Sequence, residues 1–535
     1  MNIPWDAIVI GSGFGGAVTA CRMAEGGMNV LVLERGRRWQ AADYPRKPDD
    51  AWIWDQDNPQ SLNGWIDLRI TEKMWVAQGA GVGGGSLIYA NVSVAAEPWV
   101  FDEGWPPEIT YRVLEPYYEM VGRMLNVQPL PDNQLTERFK TMKEGAEKLG
   151  YGDRFRKLPL AVTFDPNYSY DRSDPTGNQH SEKRTNAQGQ EQGTCVHCGN
   201  CDIGCQVKAK NTLDLNYIPW AEKHGAIVRP LHMVHAIEPD GGQYHVHFNR
   251  IQDGRLIPGR ETAARVVVAC GSLGSTELLL RCRDQYGFLP HLSKALGANW
   301  SSNGDFLTPA LYKNRRISPT IGPTITCAID FLDGSADGRK IFIEDGGFPN
   351  LLKDFLSGRR NGITGHYGPI LRWLKHFLLV DDPGSEVMPW FGQSVDAADG
   401  TLYLGRAWYA PWRRKLKIGW DVAATRPTID AMVNMHKRLS AATGGNPIVP
   451  FTWEDLGILI TPHPLGGCGM GRSAHEGVVN HRGEVFGYPN LFVADGAIVP
   501  RALGLNPSRT IAALSERIAD LIVREHGRNT SQRAS

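Results

Sequence analysis

A chain of 535 residues with 57 Lys and Arg against 57 Asp and Glu carries no net charge, and its pI is near 7.2. That balance excludes the global field that would draw a protein to nucleic acid, and it limits membrane contact to the peripheral kind. The length allows two or more domains and an interior able to bury a large cofactor. No apolar run approaches the roughly 18 residues of a membrane span, and the first strand starts almost at Met1, leaving no room for a leader. The expectation is a cytoplasmic protein.

Trp5 to Ala20 reads WDAIVIGSGFGGAVTA, a strand-type apolar run that breaks into glycines and resumes with helical spacing. Gly11 permits the tight turn after the strand, Gly13 lets backbone approach a pyrophosphate, and Gly16 lets the helix pack closely on the sheet. The helix N-terminus supplies unpaired N–H groups for the phosphates. A second apolar run, Val30 to Leu33, ends in Glu34, placed to accept hydrogen bonds from a ribose diol and unsuited to the 2′-phosphate of NADP. Gly36 through Gly64 lacks periodicity and reads as a surface excursion over the ligand. QGAGVGGGSLIYAN, Gln78 to Asn91, then holds five glycines in the seven positions from Gly79 to Gly85. Backbone there is pressed against something flat, because the apolar Leu87, Ile88, Tyr89 and Val92 that follow do not suit a linker.

Val100 to Leu149 has helical spacing and reads as core faces. Phe164 to Gln192 is loop-like. It leads to Cys195, Cys198, Cys201 and Cys205, a CxxCxxCxxxC run with the spacing of a ferredoxin loop, although Gln206 stands where ferredoxins usually place proline. Three readings compete: an iron–sulfur cluster, zinc, or reduced cysteines in a buried turn. Ala226 to Pro230 and Val266 to Gly271 are short apolar strands, the latter leading into a helix over Glu277 to Arg281. Asn299 to Thr452 alternates strands and turns around one basic amphipathic stretch, Leu351 to Val380, read as a lid or a solvated helix. Near the end lie PHPLGGC around His463, NLFVADGAIVP, and GLNPS around Asn506, then a helix over Thr510 to Glu525. The prolines and glycines beside His463 fix its backbone and clear space, as at a pocket wall.

These motifs, with KAKNTL and VVVACGSLGS between them, occur in the order found in the glucose–methanol–choline (GMC) oxidoreductases. The chain most resembles the cholesterol-oxidase-like branch, particularly its mycobacterial-type members with the cysteine-rich loop. The resemblance implies an α/β fold: a Rossmann-type FAD-binding domain from 1–44, 206–300 and 456–535, with an α+β substrate domain on an antiparallel sheet from 45–205 and 301–455. It places non-covalent FAD on Gly11, Gly13, Gly16, Glu34, Gly83, Ser86, Asn91, Val228, Gly271, Asp495 and Gly496; no histidine stands near Lys73-Met74-Trp75 to attach it covalently. It also places His463 and Asn506 beside the flavin as the catalytic pair, and Glu344 near the carboxylate that sterol oxidases use for isomerisation.

Oxidising an alcohol requires its hydroxyl proton to be taken or held as hydride leaves. The expectation is therefore that His463 acts as base and Asn506 as orienting donor on an apolar, sterol-like secondary alcohol. Electrons would pass to an external acceptor, with the cysteine loop as a cluster. The alternatives are an oxygen-using oxidase with isomerase activity and a non-catalytic flavin/iron–sulfur redox protein.

Overall fold

The computed structural model describes residues 5–47, 49–349, 385–407 and 410–534. Its first sheet is built on Trp5–Ile10, which pairs in parallel with Val30–Leu33 on one side and with the end of Arg255–Val268 on the other. Ile227–Arg229 extends the sheet beyond Val30–Leu33, and Leu491–Val493 pairs in parallel with Val266 to Val268. The first half of Arg255–Val268 turns antiparallel, continuing through Gln243–Gln252 to His232–Asp240. Ala7 to Ile10, Val30 to Leu33 and Val266 to Val268 are all buried. Strands covered on both faces read as unbroken apolar runs, which is why these were visible in the sequence.

The helix Phe14–Glu25 lies on this sheet at a distance only glycine permits: a Cβ on Gly16 would stand 2.0 Å from the Gly11 carbonyl oxygen. The C-terminal helix Ser508–Ala534 packs beside it, with Arg22 donating to the buried Glu516 at 2.6 Å. Both also reach the cavity at their N-terminal ends, through Phe14 and Gly15 and through Ser508 and Ile511.

A second sheet is wholly antiparallel, in the order Asn446–Pro447, Phe306–Leu311, Val387–Ser394, Arg339–Asp345, Cys327–Ala336, Phe155–Lys157. The helix Val422–Thr443 covers it, burying Ile429, Met432, Val433 and Leu439 among Ile341, Ile343, Met388 and Trp390. Chain-order reading of strands and turns from Asn299 to Thr452 missed this 22-residue helix. Its apolar spacing was present, but Pro427 in the second turn obscured it. The helical region from Val100 to Leu149 resolves into Tyr111–Met124 and Glu137–Lys148, each capped by a threonine side chain. The expected helix over Glu277 to Arg281 runs instead from Gly271 to Asp284. The basic stretch Leu351 to Val380 lies outside the described residues.

A small third sheet joins the two regions. Leu459–Thr461 pairs in parallel with Met74–Gly79, which pairs antiparallel with Ile66–Ile70. No helix among the described residues is long and apolar enough to cross a membrane.

Candidate active site

A cavity of about 910 Å³ begins at the C-terminal ends of the parallel strands and extends to the antiparallel sheet. At its first end, Gly11 has φ +96°, and a Cβ there would lie 2.3 Å from the Ala269 carbonyl. Gly13 begins the helix without any side-chain cap, so the first N–H groups are not capped by a side chain. Gly84 packs so closely on Gly13 that its own Cβ would come within 2.6 Å of the Gly13 Cα. Glu34 accepts from the Ser12 N–H at 3.0 Å, the Ser12 hydroxyl at 2.6 Å and the Gly36 N–H at 2.9 Å. A carboxylate has acceptor capacity beyond these three bonds, and Glu34 lines the cavity. Asp495 accepts from Gly271 N–H and Ala497 N–H, both at 2.8 Å, tying the second phosphate-side turn to the last strand. Burial pushes its carboxyl up to about 6. The register slips between Val234 and Ala236 on the neighbouring edge strand, and His232 to His235 face the cavity there. Such a slip releases backbone groups that can meet a purine edge. A bare helix N-terminus, a glycine cradle and a ribose-side acid fit FAD.

At the other end stands His463, between Pro462 and Pro464, all three lining the cavity. Its backbone N–H donates to Thr461 Oγ1 at 2.8 Å. Its ring Nδ1 meets Asp305 Oδ1 at 2.9 Å and Oδ2 at 3.1 Å. Carboxylate oxygens accept, so Nδ1 carries the proton and Nε2 presents a lone pair. Thr461 also donates to Asp305 at 2.6 Å, so the dyad is braced from both sides. Two residues before Asp305, Asn303 grips the other catalytic segment. Its Oδ1 accepts from Leu503 N–H and Gly504 N–H, both at 3.0 Å, and its Nδ2 donates to the Leu505 carbonyl at 2.9 Å. That clamp presents Asn506 to the cavity, with its Oδ1 buried and unpartnered.

Of the expected residues, Gly11, Gly13, Glu34, Gly271, Asp495, Gly496, His463 and Asn506 share this cavity. Gly16 serves helix packing. Gly83 and Ser86 shape the glycine loop from behind: Gly83 N–H donates to Ser12 Oγ at 3.1 Å, and the Ser86 hydroxyl donates to the Gly83 carbonyl at 2.7 Å. Asn91 is fully buried beside Cys201, and Val228 lies on the Ile227–Arg229 strand paired to Val32, leaving the edge at Val234 to face the ligand. Glu344 is also fully buried, behind the cavity wall, where Gln393 donates to it at 2.9 Å. Burial, reinforced by Asp345, holds its carboxyl well above the usual range.

Among the described residues no group of three or more His, Cys, Asp or Glu side chains is placed to hold a metal ion, Cys195, Cys198, Cys201 and Cys205 included. Backbone anchors hold the loop instead. Cys195 N–H donates to the Thr163 carbonyl at 2.8 Å, the Lys210 ammonium to the Cys201 carbonyl at 2.7 Å, and Arg46 to the Ile203 and Gly204 carbonyls at 2.7 and 2.6 Å. Spacing alone cannot separate a ligand loop from a tight turn.

The sequence reading overlooked Asp305 and Asn303. Both belong to Ser301-Ser302-Asn303-Gly304-Asp305, a polar turn that is buried throughout. Its composition looked like a surface loop.

Comparison with known proteins agrees with this fold. A GMC oxidoreductase family model matches residues 421–515, and one for an NAD(P)-binding Rossmann-like domain matches residues 9–50. A cholesterol oxidase of Mycobacterium tuberculosis is 33% identical over 97% of this chain and 91% of its own length. Another, of Acinetobacter baumannii, is 30% identical over 98% of this chain and 95% of its own. The crystal structure of pyridoxine 4-oxidase from Mesorbium loti superposes with a TM-score of 0.61 over 97% of this chain and 99% of that one; at 17% identity this speaks for the fold alone. Fold and site together define an FAD-dependent alcohol oxidoreductase. The chain belongs to the GMC oxidoreductase family, on its cholesterol-oxidase-like branch.

Proposed function

We propose that the protein oxidises an apolar secondary alcohol of the 3-hydroxy sterol class to its ketone, with oxygen taking the electrons. The observation that carries this reading is the Asp305–His463 pair at the wall of a cavity shared with Asn506. With Nδ1 committed to Asp305, Nε2 of His463 receives the hydroxyl proton, and Asp305 stabilises the imidazolium that results. Asn506 orients the alcohol oxygen through its amide N–H. Its Oδ1 and Glu344 Oε1 are both buried and without a hydrogen-bond partner among the described residues. Bound FAD supplies the two-electron chemistry, accepting hydride from the carbinol carbon.

Leu307, Ile325, Phe391, Leu459 and Ile460 line the cavity and support an apolar substrate. The relatives named cholesterol oxidase support the sterol class and oxygen as acceptor. The dehydrogenase reading rested on a cluster for which the described residues offer no ligand set.

Anaerobic mixing of the holoenzyme with a steroid 3-alcohol tests the reading: the flavin absorbance should bleach, and admitted air should restore it with one equivalent of peroxide. Absorbance that stays constant with steroid and simple secondary alcohols alike defeats it. Dye reduction that far outruns peroxide formation defeats the oxygen arm alone.

A further inference from the structure

Asp202 is the feature of this cavity that oxidation at His463 leaves unused. It belongs to the cysteine loop, yet it lines the cavity together with Thr324, Ile325, Gly346 and Gly347. These neighbours come from the antiparallel sheet and its connections, not from the strands that end at the dinucleotide turns. The residue lies deep in the protein but is only partly covered, and the space it faces is the cavity.

Its own hydrogen bonding is incomplete. The described residues provide one donor to its carboxylate, the Thr324 hydroxyl at 3.3 Å, a long bond. Two cations are close, and both are committed elsewhere. Lys210 donates to the carbonyls of Leu87, Tyr89 and Cys201. Arg138 donates to the carbonyls of Thr324, Asp345 and Gly346 through one nitrogen and to those of Ile321 and Pro323 through the other. Asp202 therefore has no ion pair among the described residues. A carboxylate can accept about four hydrogen bonds, so Asp202 keeps acceptor capacity toward the cavity it lines.

The wall around it is rigid and open. Arg138 and Asp345, both fully buried, meet at 2.9 Å and fix the backbone on either side of the lobe. Gly347 is pressed on this clamp, where a Cβ would lie 3.0 Å from the Thr324 carbonyl and 3.1 Å from the Arg138 guanidinium carbon.

We infer that Asp202 and Thr324 form a polar subsite that accepts a second hydrogen-bond donor of the substrate, distinct from the alcohol that is oxidised. The preferred substrate is accordingly an apolar alcohol carrying another hydroxyl, not one whose far end is pure hydrocarbon. This deepens the proposed alcohol oxidation and rests on it.

The test compares a saturated steroid 3-alcohol with the same steroid bearing a second hydroxyl on its far ring. In the parent holoenzyme the diol should have the higher kcat/KM for flavin reduction, by about 10- to 100-fold, the scale of a hydrogen bond to a charged group. Asp202→Leu should erase that ratio, and Asp202→Asn, which keeps shape and folding, should reduce it. Binding is read separately as the thermal shift each steroid gives. The diol should shift the parent more than the mono-alcohol does, and the difference should shrink in Asp202→Asn and vanish in Asp202→Leu. Equal kcat/KM and equal shifts in the parent, or a preference that survives Asp202→Leu, overturns the subsite. Differential binding without any flavin bleaching leaves the subsite standing and defeats the oxidation reading instead.

Discussion

The Asp305 carboxylate meets Nδ1 of His463 at 2.9 Å, and both are also joined to Thr461, through its hydroxyl. A histidine so held has one tautomer and one orientation, and its remaining nitrogen faces the cavity as an acceptor. Removing the carboxylate frees the ring to choose either. Asp305→Asn should therefore lower kcat about 10–100-fold, the scale seen when a group orienting a functional histidine is lost, with KM within about twofold. Stopped-flow flavin reduction checks this; an unchanged limiting rate means the pair is only structural.

His463→Ala removes the proton acceptor itself. Flavin reduction by substrate should slow by about 10²–10⁴-fold, while the yellow cofactor stays bound, because Glu34 and the glycine turns are untouched. Reduction at the parental rate takes His463 out of the mechanism.

Glu34→Ala acts at the opposite end. It removes the ribose-side acceptor and also unties Ser12 and Gly36, so purified protein should carry markedly less FAD and bind added FAD about 10–100-fold more weakly. Acid precipitation of the parent should release the flavin into the supernatant. Full flavin content in the variant contradicts the assignment of Glu34.

Asp495 gives a pH dependence with a definite sign. Burial raises its carboxyl from the ordinary 3.8 to about 6, so between those values the folded chain keeps a proton that the unfolded chain releases. Its contribution to stability is present below about pH 4 and is lost as pH rises through about 6. Compared with Asp495→Asn, the parent apoprotein should lose about 2–4 °C of Tm over that window. A constant difference between the two indicates a carboxyl that titrates as if exposed.

Arg138→Met leaves Asp345 buried without its cation. Breaking such a pair costs about 3–5 kcal/mol, visible as a lower thermal midpoint, and adding Asp345→Asn should recover part of it. No loss in the single variant would mean that the backbone bonds of Arg138, not the ion pair, set its worth.

What the sequence could reveal followed from how local each signal was. Trp5 to Glu34 encodes strand, turn, helix and acid within one contiguous unit, and the structure reproduces it residue by residue. His463 and Asn506 were legible only through their motif neighbours. Asp305 was not legible, because its meaning depends on His463, 158 positions away. One apolar strand residue looks like another in sequence, so the choice of Val228 did not anticipate that Val234, beside a register slip, lines the cavity. Cys195 to Cys205 had ligand spacing, but the loop's backbone is anchored by Thr163, Lys210 and Arg46, which spacing within the loop does not reveal.

The small sheet in which Leu459–Thr461 runs beside Met74–Gly79 carries a consequence of its own. One strand delivers His463 and the other delivers the glycine loop that packs on Gly13, with Leu459, Ile460 and Thr461 opposite Met74, Trp75 and Val76. Proton acceptor and cofactor cradle are thus measured off on a single ruler of peptide hydrogen bonds. The antiparallel sheet, which carries much of the substrate wall, contributes no strand to it. Natural variation can therefore recut that wall for new alcohols while the reacting distance is inherited intact.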